Sequence, residues 1–184
     1  MGMIYAAIDP GLDGAICVLL DEPKFEDAPT LLIKGSKTRR TFNIGVMAEI
    51  IDEISMLAGS GGLLVGLEAV HAMPGQGVTS MFSMGYGMGL WEGILTTLRV
   101  PYEKIPPQRW KKAMMDGQGK EKDASRQVAM RLFPSTIPQL SRKRDHNRAD
   151  ALLMAAYLQA HRLDREHPGS LGIKSSAERE NNEI

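Results

Sequence analysis

Met3-Ile4-Tyr5-Ala6-Ala7-Ile8-Asp9-Pro10-Gly11-Leu12-Asp13-Gly14-Ala15-Ile16-Cys17-Val18-Leu19-Leu20 reads as two apolar runs, each the length of a buried strand, folded back at a Pro/Gly turn. Asp9 therefore ends the first strand. A carboxylate there is costly to bury unless a cation or a set of donors compensates it. An Asp-Pro-Gly aspartate commonly does no more than form the turn. The alternative, a metal ligand carried on a sheet, requires partner acids elsewhere in the chain.

Such a partner occurs at the end of Leu63-Leu64-Val65-Gly66-Leu67-Glu68, a second apolar run closed by an acid. Unbroken apolar runs suit parallel strands covered on both faces, and the carboxyl ends of such strands are where open α/β sheets place ligands. Between the two runs, Thr30-Leu31-Leu32-Ile33 is expected as a third antiparallel strand and Lys37 to Thr41 as a basic loop. Ile44 to Leu57 follows a helical rhythm with Asn43 as N-cap and Gly59 as its stop.

Downstream, a Gly-rich loop containing His71 leads to a helix over about Thr79 to Arg99, with four glycines (85, 87, 89, 93) that imply a close approach of its backbone to a neighbour. His71 has no second histidine nearby and reads as a substrate contact or as neutral. Pro101 to Pro107 reads as a short strand closed by prolines. Arg109, Trp110, Lys111 and Lys112 follow on a short helix, where an indole interleaved with cations suits phosphate contact and base stacking. Lys120 and Lys122 open the next helix, whose amides favour an anion. Arg142 to Asp150 then precedes a final helix from Ala151 to about Leu163. Helical spacing places His146 or Asn147 beside Asp150, a third polar cluster.

The 184 residues carry no net charge, but the signs are segregated: residues 1–103 balance to −6, 104–148 to +8 and 149–184 to −2. A basic segment within a neutral chain is the footprint of a polyanion-binding face, although a solvated face gives the same pattern. The length and the 43% hydrophobic content fit one soluble globular domain, 1–163, followed by a polar tail, 164–184, expected to be disordered. Neither a membrane span nor a signal peptide is read, and the lone Cys17 reads as a buried thiol of a reducing, cytoplasmic compartment.

Asp9, Glu68 and Asp150, with Asp145, His146 or Asn147 alongside, make an oxygen-rich set suited to Mg2+ or Mn2+. Paired ions of that kind drive in-line phosphodiester hydrolysis. Zinc is disfavoured, with one cysteine and no ligand-spaced histidine pair, and there is no phosphate-binding loop of the G-x-x-x-x-G-K-[ST] type.

The order of Ile-Asp-Pro-Gly, the strand-end Glu68, the Gly-containing helix, Tyr-Glu-Lys-Ile-Pro-Pro with Lys-Lys, Gly-Gln-Gly-Lys-Glu-Lys and Ala-Asp-Ala-Leu resembles the RuvC family of Holliday junction resolvases, especially its compact phage-encoded branch. The resemblance spans about Met3 to Leu163. It implies an α/β, RNase H-like fold: a five-stranded mixed sheet, its first three strands antiparallel, flanked by helices. It also implies a homodimer that cuts paired strands of a four-way DNA junction, leaving 5′-phosphate and 3′-hydroxyl ends. By matching position, Asp9, Glu68 and Asp150 are the metal-binding carboxylates, with Mg2+ as cofactor and Mn2+ able to substitute. His146 is preferred for the fourth place, because the family's Asp or His three residues before the last aspartate is Asn147 here. Lys111, Lys112, Lys120 and Lys122 fall in the family's DNA-contacting region, and Arg109, Arg144 and His71 join them as expected contacts. His71 stands where the family has an aromatic residue at the junction, and its imidazole can still stack on a base.

Three other readings compete. One is a junction-binding module without cleavage, another an RNase H-like nuclease of flaps or RNA, since fold does not fix substrate. A sugar-kinase-like ATPase needs a second lobe for which the chain is too short.

Overall fold

A computed structural model describes residues 2–71, 75–115 and 123–166. The opening stretch forms β1 (Ile4–Ile8) and β2 (Ala15–Leu19), antiparallel, with Tyr5 opposite Leu19 and Ile8 opposite Ile16. The third strand of this sheet is β3 (Lys24–Asp27), not the expected Thr30–Ile33. Thr30–Ile33 is instead β4, which pairs with β5 (Arg39–Phe42) in a separate two-stranded ribbon. The reason is geometric: the Asp21-Glu22-Pro23 turn returns the chain at once, so Phe25 pairs with Cys17 and the edge is filled before Thr30 arrives. The supposed basic loop is thereby half strand.

Helix α1 (Ile44–Ala58) starts at Asn43, whose side chain accepts from the Val46 N–H, and ends at Gly59 with φ +51°. The chain continues through β6 (Leu63–Glu68), α2 (Val78–Thr97), β7 (Tyr102–Ile105), α3 (Pro107–Met114), α4 (Ala124–Leu132) and α5 (His146–Glu166). The sheet order is β3-β2-β1-β6-β7, with β1, β6 and β7 parallel. The five-stranded mixed sheet is as expected.

Alternation along β1 divides the core into two layers. Ile4, Ala6 and Ile8 face α1 and α2 with Ile16, Val65, Leu67 and Trp91; Tyr5 and Ala7 face α4 and α5 with Cys17, Leu64, Leu152 and Met154. Both faces are covered, which is why β1 and β6 lack polar residues before their last positions. Cys17 is fully buried, and burial pushes its thiol up, so it is an inert core group.

Of the glycines in α2, Gly87 makes the close approach: a Cβ there would lie 2.3 Å from the Pro10 carbonyl oxygen and 2.6 Å from the Phe42 ring. Gly85, Gly89 and Gly93 face open space. The helix is thus pressed against the Asp9-Pro10 turn at one point. Among the described residues, no helix is long and apolar enough to cross a membrane.

Candidate active site

Sheet register builds the site. Ile8 of β1 stands opposite Leu67 of the parallel strand β6, so the next residues, Asp9 and Glu68, emerge side by side at the carboxyl edge. Parallel neighbours lie about 4.8 Å apart. The third acid comes from α5, which crosses the sheet's second face with Ala149, Leu152, Leu153 and Met154 fully buried against it. That packing turns Asp150 toward the same edge.

The helix begins at His146, five residues before the expected Ala151, so His146, Asn147 and Asp150 all lie on its first turns.

The electrostatics tie the acids together. Burial raises the Asp9 carboxyl, a backbone N–H from Gly11 at 3.1 Å opposes this, and the Asp150 charge adds to it. Burial, with Asp9 and Asp150 nearby, raises Glu68 to about 7, against lowering contributions from Trp110 and Lys111. Asp150 is raised by burial and lowered by a hydrogen bond with Ser125 and by the charge of Lys111. Asp150 raises Asp9 and Glu68, Asp9 raises Glu68, and Lys111 acts on all three; perturbed groups of this kind cluster at functional sites.

The donor set fits a hard divalent cation. Asp150 Oδ1 is buried with no hydrogen-bond partner among the described residues, a costly state for an oxygen that binds nothing. The other donors are carboxylate oxygens, which such cations prefer. Among the described residues, no group of three or more His, Cys, Asp or Glu side chains stands close enough together to hold a metal ion.

Of the three candidates for the fourth place, two are engaged elsewhere. Asp145 is buried and accepts from the Arg142 backbone N–H at 2.8 Å and from its guanidinium, which outweigh the effect of burial and hold its carboxyl low. Asn147 donates to the Asp13 carbonyl and so pins α5 to the β1–β2 turn. His146 Nδ1 lies 3.1 Å from the Lys143 carbonyl. A carbonyl only accepts, so Nδ1 carries the proton and Nε2 is left for another partner, the arrangement that metal-binding histidines adopt.

The expected DNA contacts separate. Lys111 lies 5.0 Å over the Trp110 ring and acts on all three acids. Arg144 lines a cleft of about 1140 Å³ together with Asp9, His146, Arg142, Thr30 and Arg40. Arg109 and Lys112 are exposed on α3 and do not act on the acids. His71 borders a smaller hollow of about 170 Å³ with Met81 and Met84. Lys120 and Lys122 lie outside the described residues.

Trp110 is not a stacking platform: it is fully buried, and its Nε1–H donates to Glu68 Oε1 at 3.1 Å. Sequence reading missed this orienting contact. The available signal was the single Trp among cations three residues beyond the prolines that close β7.

No protein-family profile matches the chain. The structure superposes on Thermus thermophilus RuvC with a TM-score of 0.50 at 15% identity, covering 88% of this chain and 97% of that one. The chain has the RuvC fold.

A second Thermus thermophilus RuvC structure, in complex with Holliday junction substrate, aligns at TM-score 0.48 and 16% identity over 86% of this chain and 96% of that one. In sequence, 91 residues are 37% identical to the chloroplastic Holliday junction resolvase MOC1 of Chlamydomonas reinhardtii. That match takes in 50% of this chain and 10% of the relative's length.

Proposed function

We propose that this RuvC-fold chain is a divalent-metal-dependent endodeoxyribonuclease that resolves four-way DNA junctions. The observation that carries the reading is that two adjacent strand ends deliver Asp9 and Glu68 to one sheet edge, where the charge of Asp150 on the crossing helix reaches both. The sequence similarity to a Holliday junction resolvase supports the substrate.

Asp9, Glu68 and Asp150, with His146 through Nε2, would hold the metal, Mg2+ or Mn2+. Divalent ions, when bound, stabilise the charge that builds on the phosphate during in-line displacement by water. The chain's own residues do the rest. Trp110 fixes the orientation of the Glu68 carboxylate, and the Lys143 carbonyl fixes the His146 ring. Lys111 supplies a positive charge beside the acids, where a phosphate would bring negative charge. Arg142 and Arg144 line the cleft through which a strand reaches Asp9. The products are 5′-phosphate and 3′-hydroxyl ends.

The active species is a homodimer, because resolution needs paired cuts in two strands, and the protein works in the cytoplasm. The relatives named above are algal and bacterial, and neither bears on a phage-type branch.

The test is incubation of the protein with junction, flap, duplex and RNA–DNA hybrid substrates, with Mg2+, with Mn2+ and with chelator. Paired cuts confined to the junction and dependent on metal support the reading. Preferred cutting of flaps or hybrids assigns a different RNase H-like nuclease, and binding without cutting assigns a junction-binding module.

A further inference from the structure

The β4–β5 ribbon supplies none of the acids described above. Residues 30–42 read Thr-Leu-Leu-Ile-Lys-Gly-Ser-Lys-Thr-Arg-Arg-Thr-Phe, with four cations and no acid. Those four are most of the 6 Lys/Arg in the otherwise acidic first 103 residues. A ribbon this short is marginal in water by itself, yet this one is fastened at its base. Phe42 is buried, with its ring centroid 6.0 Å from that of Tyr86, the Asn43 N–H donates to the Pro29 carbonyl at 2.9 Å, and Arg40 pairs with Asp13. Every residue from Leu31 to Arg40 is exposed.

The ribbon is also placed where a substrate would pass. Thr30 and Arg40 line the same cleft as Asp9 and His146. Arg40 is held by an acid, whereas Lys34, Lys37 and Arg39 enter none of the ion pairs formed among the described residues. Three cations without counter-charges, projecting beside a nuclease cleft on a fixed base, match a polyanion and not an acidic protein groove. Lysine and arginine cations on an exposed ribbon suit phosphate oxygens, which take half or more of the hydrogen bonds that proteins make to DNA.

Resting on the nuclease reading above, we propose that the β4–β5 ribbon is a DNA-gripping arm whose Lys34, Lys37 and Arg39 contact the phosphates of one duplex arm as it leaves the cleft. The contact is independent of sequence and lies away from the scissile phosphate. It therefore contributes to affinity and leaves the cleavage step alone.

The test compares the wild-type protein with a variant carrying K34A, K37A and R39A, using a labelled four-way junction over a range of salt. Each lost phosphate contact flattens the slope of log affinity against log salt by about 0.9, so the variant's slope should fall by up to about 2.7. Its affinity should drop about tenfold or more at moderate salt, with the cleavage rate at saturating junction unchanged. Trimming the duplex arms should weaken the wild-type protein toward the variant and leave the variant nearly unaffected. As a measurement that does not depend on the triple variant folding, a photo-crosslinking amino acid at position 37 should capture arm DNA. If the wild-type protein binds and cuts junctions while the variant keeps the full salt slope, or if position 37 captures a second protein copy and no DNA, the arm is refuted and the nuclease stands. If the wild-type protein neither binds nor cuts junctions, the nuclease reading falls and the arm falls with it.

Discussion

Trp110, from α3, reaches across to the end of β6 and donates its indole N–H to Glu68 Oε1 at 3.1 Å, joining residues 42 apart in sequence. A half-buried carboxylate that keeps one fixed donor has one oxygen oriented and the other left to act. The same bond works against burial, which raises Glu68 to about 7. Trp110→Phe keeps the ring and removes the donor. A hydrogen bond to a charged group contributes about 1.5–3 kcal/mol, so the change should cost about tenfold or more in cleavage at neutral pH. The rate profile should move to higher pH, because Glu68 then ionises later. A pH–rate profile of the variant checks this, and an unmoved profile would assign Trp110 to packing alone.

Metal-free stability should fall as pH rises. Asp9, Glu68 and Asp150 all have folded-state pKa values above their ordinary ones. In that case the native state binds more protons than the unfolded one, and stability present below the ordinary carboxylate range is lost as pH rises through the folded values. For Glu68 the window runs from 4.5 to about 7. Denaturant titrations in chelator at several pH values measure it, and saturating Mg2+ should flatten the decline by favouring the ionised acids.

Asp145 and His146 are adjacent and should behave oppositely on substitution. Asp145→Ala removes the acceptor for the Arg142 backbone N–H and guanidinium. Loss of such a cap costs about 1–2 kcal/mol, with cleavage retained once the protein is folded. His146→Ala should leave the melting temperature nearly unchanged and lower both Mn2+ affinity and cleavage. Melting curves and calorimetric Mn2+ titration of the two variants separate the roles.

Gly87→Ala should destabilise the protein by about 1–3 kcal/mol, the usual cost of forcing a methyl group into a packed contact. The added Cβ meets the Pro10 carbonyl at 2.3 Å and the Phe42 ring at 2.6 Å. Gly89→Ala, facing open space in the same helix, should be neutral or slightly stabilising. Thermal melts of the pair provide the comparison.

The sheet and the acids were legible in the sequence because apolar runs that end in Asp9 and Glu68 carry both the strand and its exit in a few consecutive residues. Asp150 was legible through helical spacing. The β3 strand was not: Lys-Phe-Glu-Asp is polar because it is an edge strand with exposed residues, and only its pairing with Ala15–Val18 makes it part of the sheet. The role of Trp110 was hidden for a different reason. A Trp among three cations has the composition of a nucleic-acid surface, and only the packing of α3 shows that the ring is buried, with the Lys111 ammonium lying over it. Asp145 and His146 likewise look equivalent in a string, and the turn at Arg142 separates them.

The most direct test of the central claim is a time course of end-labelled four-way junction cleavage in Mg2+ by the wild-type protein and by Asp9→Asn, with binding followed in parallel. Paired cuts by the wild-type protein, abolished in chelator and in Asp9→Asn while junction binding persists, is the predicted result. Cleavage that survives Asp9→Asn would contradict the account, because the acid at the head of β1 would then lie outside the chemistry.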